Sequence, residues 1–238
     1  MPTRFLFRDD AYLGSTEASV IAITPDGGIV LDQTVFYAQG GGQPGDQGVM
    51  RAKGREFPIT NAVYGAERTE IAHLAASPDH GIAVGDRVEV ALDWARRHAL
   101  MRAHTALHLV SVVFPFPVTG GSVGVAEGRL DFDIPDAGDV DRDAAQAELA
   151  RLVALDRPVT SRTITDAELD ANPGLVKTMM VQPPRGTGTI RLVSIEGLDL
   201  QPCGGTHVRS TAEIGRIEIT RIEKKGAKNR RVRIALHA

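Results

Sequence analysis

Two pairs of potential metal ligands, far apart in the chain, constrain its fold more than any other feature. His104 and His108 stand four residues apart in R-A-H-T-A-L-H-L, and Cys203 and His207 enclose the glycines of C-G-G-T-H. On a helix, this four-residue spacing places both imidazoles on one face, one turn apart. Three histidines and one cysteine suit Zn²⁺ better than Mg²⁺ or Ca²⁺. The sequence therefore predicts one zinc site, formed when folding brings a helix and a distant loop together.

Each pair has an ordinary explanation when it is considered alone. Two histidines on an apolar helix face can hydrogen-bond within a core, and a buried cysteine near a loop histidine is common. The metalloprotease motif H-E-x-x-H is excluded, because Thr105 occupies the position of its glutamate. The two pairs together favour zinc. Four protein ligands are typical of structural zinc, whereas catalytic zinc keeps a position for water or substrate, and the sequence leaves both roles open.

The remaining histidines are not expected to extend this set of ligands. His98 lies six residues before His104, which places it about 120° around the helix from that face. The other three have no ligand-like neighbours, and we expect them at the surface: His73, His80 and His237.

The composition is that of a soluble globular protein, with 42% hydrophobic and 24% charged residues among 238. No apolar run approaches the roughly 20 residues that cross a bilayer, so no membrane association is expected. The single cysteine excludes an internal disulfide, and the N-terminal segment turns acidic too early for a signal peptide. We therefore expect a cytoplasmic protein with a metal-binding or reactive thiol.

The net charge of −3 conceals a basic C-terminal segment. Residues 209–238 contain nine Lys or Arg and three Glu, a balance of +6, so the rest of the chain carries −9. Such a segment on an acidic body is typical of a localised anion-binding surface. Solvated Lys and Arg on edge strands would give the same pattern, and charge alone leaves both interpretations open.

The hydrophobic pattern divides the chain near residue 92. Residues 1–92 contain short alternating runs separated by Gly, Pro and Asp turns, which predicts a small barrel or sandwich. From Trp94 to about Val113 the pattern is helical, with Asp93 as a plausible N-cap and prolines beyond the end. We therefore expect a β-rich domain over residues 1–92 and a second domain over residues 93–238.

The second domain mixes strands and helices. Residues 118–134 predict two strands around Ala126-Glu127-Gly128, and a helix is expected from about Val140 to Leu155. A short helical turn is expected at Asp166–Asp170, followed by strand-like segments up to the C-terminus.

The glycine-rich segment from Phe36 to Gly48 is the second unusual feature. It lacks the ending of a phosphate-binding loop and the spacing of a dinucleotide-binding fold. One interpretation is a hairpin with a flexible tip. The other is a backbone that closely approaches a ligand, with Thr34 and Gln43 as hydrogen-bonding side chains beside it.

Taken together, these segments resemble a known family. T-V-F-Y-A-Q-G-G-G-Q-P-G-D-Q-G, H-T-A-L-H, G-R-L-D-F-D, C-G-G-T-H and E-K-K-G-A-K-N-R-R-V look like the editing domain of alanyl-tRNA synthetases. The order and spacing resemble most closely the freestanding, medium-length alanyl-tRNA editing proteins of the AlaX type. The resemblance implies an α+β fold. A small N-terminal β-barrel-like domain would precede an α/β editing domain with helices packed on an antiparallel sheet.

The resemblance also implies an activity and the residues that serve it. The expected reaction is hydrolysis of Ser-tRNA(Ala), with Gly-tRNA(Ala) left open as a second substrate. The chain has no room for a synthetase catalytic core, which favours a trans-acting editor. By similarity, zinc would bind His104, His108, Cys203 and His207. The expected pocket residues are Thr34, Gly41, Gly42, Gln43 and Thr105. Expected contacts with phosphates of the tRNA(Ala) acceptor stem are Lys224, Lys225, Lys228, Arg230 and Arg231.

Two other classes of function remain open from the residues alone. One is a zinc-dependent esterase acting on small molecules, and the other is a non-catalytic RNA-binding module with structural zinc. The glycine-rich segment and its neighbouring threonine argue against the second, because pure binding does not need an amino-acid pocket. The sequence favours a monomer and leaves the oligomeric state open.

Overall fold

The computed structural model of the chain describes residues 2–134, 141–179, 189–226 and 229–237. It divides into two compact units, Met1–His98 and Ala99–Ala238. The change from strands to helix occurs where the sequence predicts it, and the division between units falls a few residues later, within that helix. The assignment of separate functional domains to residues 1–92 and 93–238 stays a prediction.

The first unit is built around a closed antiparallel barrel of six strands. Its elements in chain order are β1 (Arg4–Phe5), α1 (Leu6–Asp9), β2 (Ser15–Ile23), β3 (Ile29–Leu31), β4 (Gln33–Thr34), β5 (Gly48–Ala52), β6 (Arg55–Tyr64), β7 (Ile71–Ala75) and β8 (Arg87–Leu92). The barrel runs β2-β3-β7-β6-β5-β8, and β8 closes it by pairing with both β2 and β5. Alternating apolar residues of these strands fill the interior, which confirms the predicted barrel-like domain.

Two histidines of this unit contradict the prediction that they lie at the surface. His73 is fully buried, with Nδ1 2.8 Å from the Ile29 carbonyl oxygen and Nε2 2.7 Å from the Thr34 hydroxyl. His80 is also buried, and its Nδ1 accepts a hydrogen bond from the Ile82 amide. Each polar ring is tolerated inside because both of its nitrogens have hydrogen-bond partners. His237, in contrast, is exposed as predicted.

Helix α2 spans Trp94–Val113, the range predicted from the sequence. Its start is capped by Asp93, whose Oδ1 accepts a hydrogen bond from the Arg96 amide at 3.0 Å. It ends before Pro115, which cannot continue the intrahelical hydrogen bonds. Its central residues are almost entirely buried, so its polar side chains there need partners inside the protein.

The second unit contains two antiparallel sheets and further helices. Its elements after α2 are β9 (Val118–Gly124), β10 (Glu127–Asp133), α3 (Arg142–Ala154), β11 (Val159–Ile164), α4 (Asp166–Asp170), β12 (Ile190–Ile195), β13 (Asp199–Pro202), β14 (Ile217–Lys224) and β15 (Asn229–Leu236). One sheet has the order β14-β15-β10-β9 and the other β11-β12-β13. Helix α3 lies against β14, where the Gln146 amide donates to the Ile217 carbonyl. The α+β class with a helix on an antiparallel sheet is thereby confirmed.

The predicted element bounds differ from the structure in two places. The first hairpin turns at Val125 and Ala126, whereas Glu127 and Gly128 already belong to β10. Ala126 adopts a φ of 56°, and this left-handed residue is the centre of the turn. Helix α3 begins at Arg142 because Asp141 caps it; the predicted start at Val140 lies outside the described residues. No helix of the described chain is both long and apolar enough to cross a membrane.

Candidate metal centre

Within the second unit, four side chains gather into a site that could hold a metal ion. One ligand atom from each of His104, His108, Cys203 and His207 lies within 4.8 Å of all the others. The Cys203 sulfur is 3.4 Å from Nε2 of His104 and 3.2 Å from Nε2 of His207. The three histidines are buried and the cysteine is partly buried. The structure therefore brings together both halves of the predicted set.

Helix and loop supply the two halves for separate local reasons. His104 and His108 lie one turn apart on α2, as their spacing dictates. Cys203 follows β13 directly, and its amide donates to the Arg191 carbonyl on the neighbouring strand β12. The Arg191 guanidinium in turn donates to the carbonyls of Cys203 and Gly205. These contacts hold the start of the loop against strand β12. The loop then turns back and places His207 next to helix α2.

The donor set fits tetrahedral zinc. Bond lengths of about 2.0–2.1 Å to nitrogen and 2.3 Å to sulfur would separate ligand atoms by about 3.3–3.6 Å. The two measured sulfur–nitrogen separations, 3.4 and 3.2 Å, lie close to that range. Imidazole and thiolate ligands also suit zinc better than a hard cation that prefers oxygen. The four residues therefore offer a zinc-like donor set, with all ligand atoms within 4.8 Å of one another.

Two of the histidines make contacts with other buried groups through Nδ1, the ring nitrogen that would not bind the metal. Nδ1 of His108 lies 2.9 Å from Oδ2 of Asp199 at the start of β13. Nδ1 of His207 lies 3.1 Å from the hydroxyl of Thr105, which itself donates to the Met101 carbonyl. Hydrogen bonds of this kind fix the ring orientation and leave the other nitrogen to the metal. The Thr105 hydroxyl is thus placed against His207, and its predicted contact with substrate stays a prediction.

The electrostatics of the cluster favour the thiolate of Cys203. Burial opposes a charged sulfur, but the neighbouring His104 and His207 hold the pKa of Cys203 well below its usual value. For His108, burial also opposes the charge, but hydrogen bonds to Asp199 and Cys203 raise its pKa to about 9. Burial lowers the pKa of His207 to about 3. The site thus stabilises the form of cysteine that binds metals.

The glycine-rich segment of the first unit forms a tight two-residue turn. Gly40 and Gln43 exchange backbone hydrogen bonds of 3.0 and 2.9 Å. Between them, Gly41 and Gly42 have φ values of 56° and 81°, which other residues rarely adopt. At Gly45, a Cβ atom would lie 2.3 Å from a backbone oxygen of β6, so no larger residue fits. The hairpin interpretation is correct for the backbone, and the predicted ligand contact stays a prediction.

A buried ion pair stabilises this segment. It was not predicted from the sequence. The guanidinium of Arg97 binds the carboxylate of Asp46, and both side chains are almost fully buried. The same guanidinium donates to the carbonyls of Ala11 and Val35, while Asp46 accepts the Tyr37 amide. Each nitrogen of the guanidinium has at least one acceptor, as a buried charge requires. No specific signal marks the pair in the sequence, because Asp beside Gly is ordinary in turns.

Side chains predicted to bind the pocket or RNA have diverse surroundings. Thr34 and Gln43 are buried in the first unit. Lys224 and Lys225 are exposed at the end of β14, whereas Arg230 is buried. Arg231 is committed to Asp131 across the sheet through two hydrogen bonds of 2.6 and 2.7 Å. Lys228 lies outside the described residues. The lysines are therefore the predicted RNA contacts with the most accessible charge.

Comparison with known proteins relates both units to proteins of translation. The family model of the threonyl and alanyl tRNA synthetase second additional domain matches residues 190–233, which include Cys203 and His207. The model of class II (A) tRNA synthetases matches residues 11–96.

Individual relatives extend these matches to nearly the whole chain. It is 35% identical to the alanyl-tRNA editing protein AlaX-M of Methanosarcina acetivorans, over 98% of this chain and 99% of that one. It is 31% identical to the alanyl-tRNA editing protein AlaX-L of Pyrococcus horikoshii, over 92% of this chain and 54% of that one. It is 34% identical to the alanine–tRNA ligase of Pyrobaculum arsenaticum, over 93% of this chain and 25% of that one.

Proposed function

The chain belongs to the alanyl-tRNA editing proteins, and from that membership we propose that it is a zinc-dependent hydrolase that removes serine misattached to tRNA(Ala). It would act in trans on the charged tRNA and so protect the fidelity of protein synthesis. The observation that carries the proposal is the cluster of His104, His108, Cys203 and His207. Zinc held by these four residues would give an ester hydrolase a centre of positive charge.

The bond to be broken is an ester between an amino acid and the terminal ribose of the tRNA. Bound zinc would supply either a water of lowered pKa or a position for the substrate's α-amino group. The protein's own contribution is to hold the ligands in place before substrate arrives. Asp199 orients His108, and Thr105 orients His207. The stabilised thiolate of Cys203 completes the set.

Selectivity has to rest on a single hydroxyl, because serine and alanine differ in nothing else. A site that hydrogen-bonds the serine hydroxyl disfavours alanine, since its own polar groups would then stay unpaired. Thr34, Gln43 and Thr105 are the proposed groups, together with the backbone of Gly41 and Gly42. The sequence resemblance supports this assignment.

The decisive experiment compares deacylation of Ser-tRNA(Ala) and Ala-tRNA(Ala) after zinc has been quantified in each preparation. Wild type, His104→Ala and His98→Ala are assayed side by side. His98 is the matched control, because it lies on the same helix but outside the cluster, where its ring stacks on Trp94. We expect wild type and His98→Ala to release serine selectively, and His104→Ala to lose both zinc and activity.

The contrary outcomes separate the alternatives. Zinc-loaded wild type that leaves Ser-tRNA(Ala) intact would overturn the proposal. If the same preparation cleaved a free aminoacyl ester, a small-molecule esterase would replace it. If it bound tRNA without cleaving any ester, a binding module with structural zinc would replace it.

A further inference from the structure

We propose that Asp199 is a positioning residue of the metal centre, which acts through His108 to set the affinity for the metal. The inference rests on the metal site of the proposed function and adds to it a group that lies outside the ligand set. Asp199 is the first residue of β13, four positions before Cys203. Its side chain is fully buried, and that of His108 nearly so.

The carboxylate of Asp199 is surrounded by three donors. Oδ2 lies 2.9 Å from Nδ1 of His108 and accepts a hydrogen bond from the Gln201 amide at 2.7 Å. Oδ1 accepts from the ammonium of Lys177 at 2.5 Å. A buried carboxylate is tolerated only when it is paired and hydrogen-bonded, and here every partner favours the charged form. The site therefore contains a fixed negative charge directly behind one metal ligand.

That charge decides which nitrogen of His108 is available to the metal. An ionised carboxylate can only accept, so Nδ1 must carry the hydrogen that faces Asp199. Nε2 is then the nitrogen that binds a metal. An anionic partner also makes the imidazole a better electron donor, and losing such a partner commonly weakens metal binding. Nδ1 of His207 instead faces the neutral hydroxyl of Thr105.

The local fold gives Asp199 a rigid support. Across the antiparallel pair of β12 and β13, Asp199 lies opposite Ile195. Gln201, two residues along the same strand, also contacts the hydroxyl of Ser111 on α2 at 3.3 Å. Since Ser111 donates to the carbonyl of His108, the sheet and the helix share one hydrogen-bond network around that ligand.

The test measures metal affinity, not deacylation, on the full chain. Zinc dissociation constants are determined by competition with a chromophoric chelator for wild type, Asp199→Ala, Asp199→Asn and Ile195→Val. The Asn variant keeps an oxygen that can accept from His108 but removes the charge. Ile195→Val is the matched control, because it perturbs the same strand pair without touching a ligand. The visible spectrum of the Co²⁺-loaded proteins reports the ligand geometry.

We expect Asp199→Ala to bind zinc about 10–100-fold more weakly than wild type. The Asn variant should lose less, and Ile195→Val should bind as wild type does. The Co²⁺ spectrum should change in Asp199→Ala alone. Wild-type affinity in a folded Asp199→Ala, or an equal loss in Ile195→Val, would overturn the inference. Failure of wild type to bind zinc would instead overturn the proposed function.

Discussion

Nε2 of His73 lies 2.7 Å from the hydroxyl oxygen of Thr34, while Nδ1 of the same ring lies 2.8 Å from the carbonyl oxygen of Ile29. A carbonyl oxygen can only accept, so Nδ1 carries the hydrogen and Nε2 of the neutral ring is an acceptor. The Thr34 hydroxyl therefore donates to His73. Its oxygen also accepts the Phe36 amide at 3.0 Å. Only one acceptor position of Thr34 remains for any other group, such as a substrate hydroxyl.

This arrangement sharpens the prediction for Thr34→Val. We expect the variant to lose selectivity for Ser-tRNA(Ala) over Ala-tRNA(Ala), because valine cannot accept a hydrogen bond from serine. One such bond is worth about 1–1.5 kcal/mol, so the ratio of kcat/KM values should fall roughly 5–15-fold. Thr34→Ser keeps the hydroxyl and should keep the ratio. An unchanged ratio in folded Thr34→Val would remove Thr34 from the pocket.

The buried ring of His73 also predicts how stability depends on pH. Burial lowers the pKa of His73 to about 4 from an ordinary 6.5, although the hydrogen bond to Ile29 favours the charged form. Between these values the unfolded chain binds the proton and the folded chain does not. Stability from this group is complete above pH 6.5 and is lost as the pH falls toward 4. A pKa difference of this size corresponds to about 3 kcal/mol.

The variant His73→Gln isolates this contribution, because glutamine does not titrate. Urea unfolding of both proteins is measured with chelator present at pH 7.5 and pH 4.5. Between pH 7.5 and pH 4.5, the drop in the free energy of unfolding should be about 2–3 kcal/mol smaller in the variant than in wild type. Parallel pH profiles for the two proteins would show that folding leaves the pKa of His73 at its ordinary value.

Breaking the buried ion pair of Arg97 and Asp46 is expected to cause a large loss of stability. Removing one partner of a buried ion pair leaves the other charged and unsatisfied, which costs about 3–5 kcal/mol. Arg97→Met should therefore lower the free energy of unfolding by that amount. Arg51→Met is the matched control, because its ion pair with Glu56 is about half exposed and should contribute under about 1 kcal/mol. Equal losses in urea unfolding would contradict the assignment.

Structural features could be predicted most reliably from the sequence where the residues that determine them are neighbours in the chain. Helix α2 could be predicted to the residue, because its cap, its periodicity and the terminating Pro115 are contiguous. The cluster of ligands could be predicted because the residue types are rare and chemically restrictive. The position of His73 could not, because the face of a strand that points inward depends on which strands pair with it. An isolated Asp is usually solvated, and the contact of Asp199 with His108 spans 91 residues.

The basic C-terminal hairpin consists of β14 and β15 and carries both lysines and arginines. We expect the two kinds of side chain to differ in their contribution to RNA binding. Arg231 is held by Asp131, which lowers the cost of its partial burial, whereas Lys224 and Lys225 are exposed. Phosphate binding requires accessible charge, so the lysines should contribute to tRNA affinity more than the arginine does. Each phosphate contact contributes about one unit to the slope of log affinity against log salt concentration.

Replacement of both lysines by alanine should therefore weaken tRNA(Ala) binding at low salt and reduce that slope by up to about 2. Filter binding or fluorescence anisotropy over a range of salt concentrations measures both quantities. Lys53→Ala is the control, because Lys53 is an exposed lysine of the barrel that pairs with Asp86. Arg231→Ala should leave the slope near its wild-type value. It should lower the free energy of unfolding, since Asp131 would lose its bidentate partner. If the double lysine variant kept the wild-type slope, the hairpin would be an ordinary solvated edge, and the acceptor stem would have to bind elsewhere.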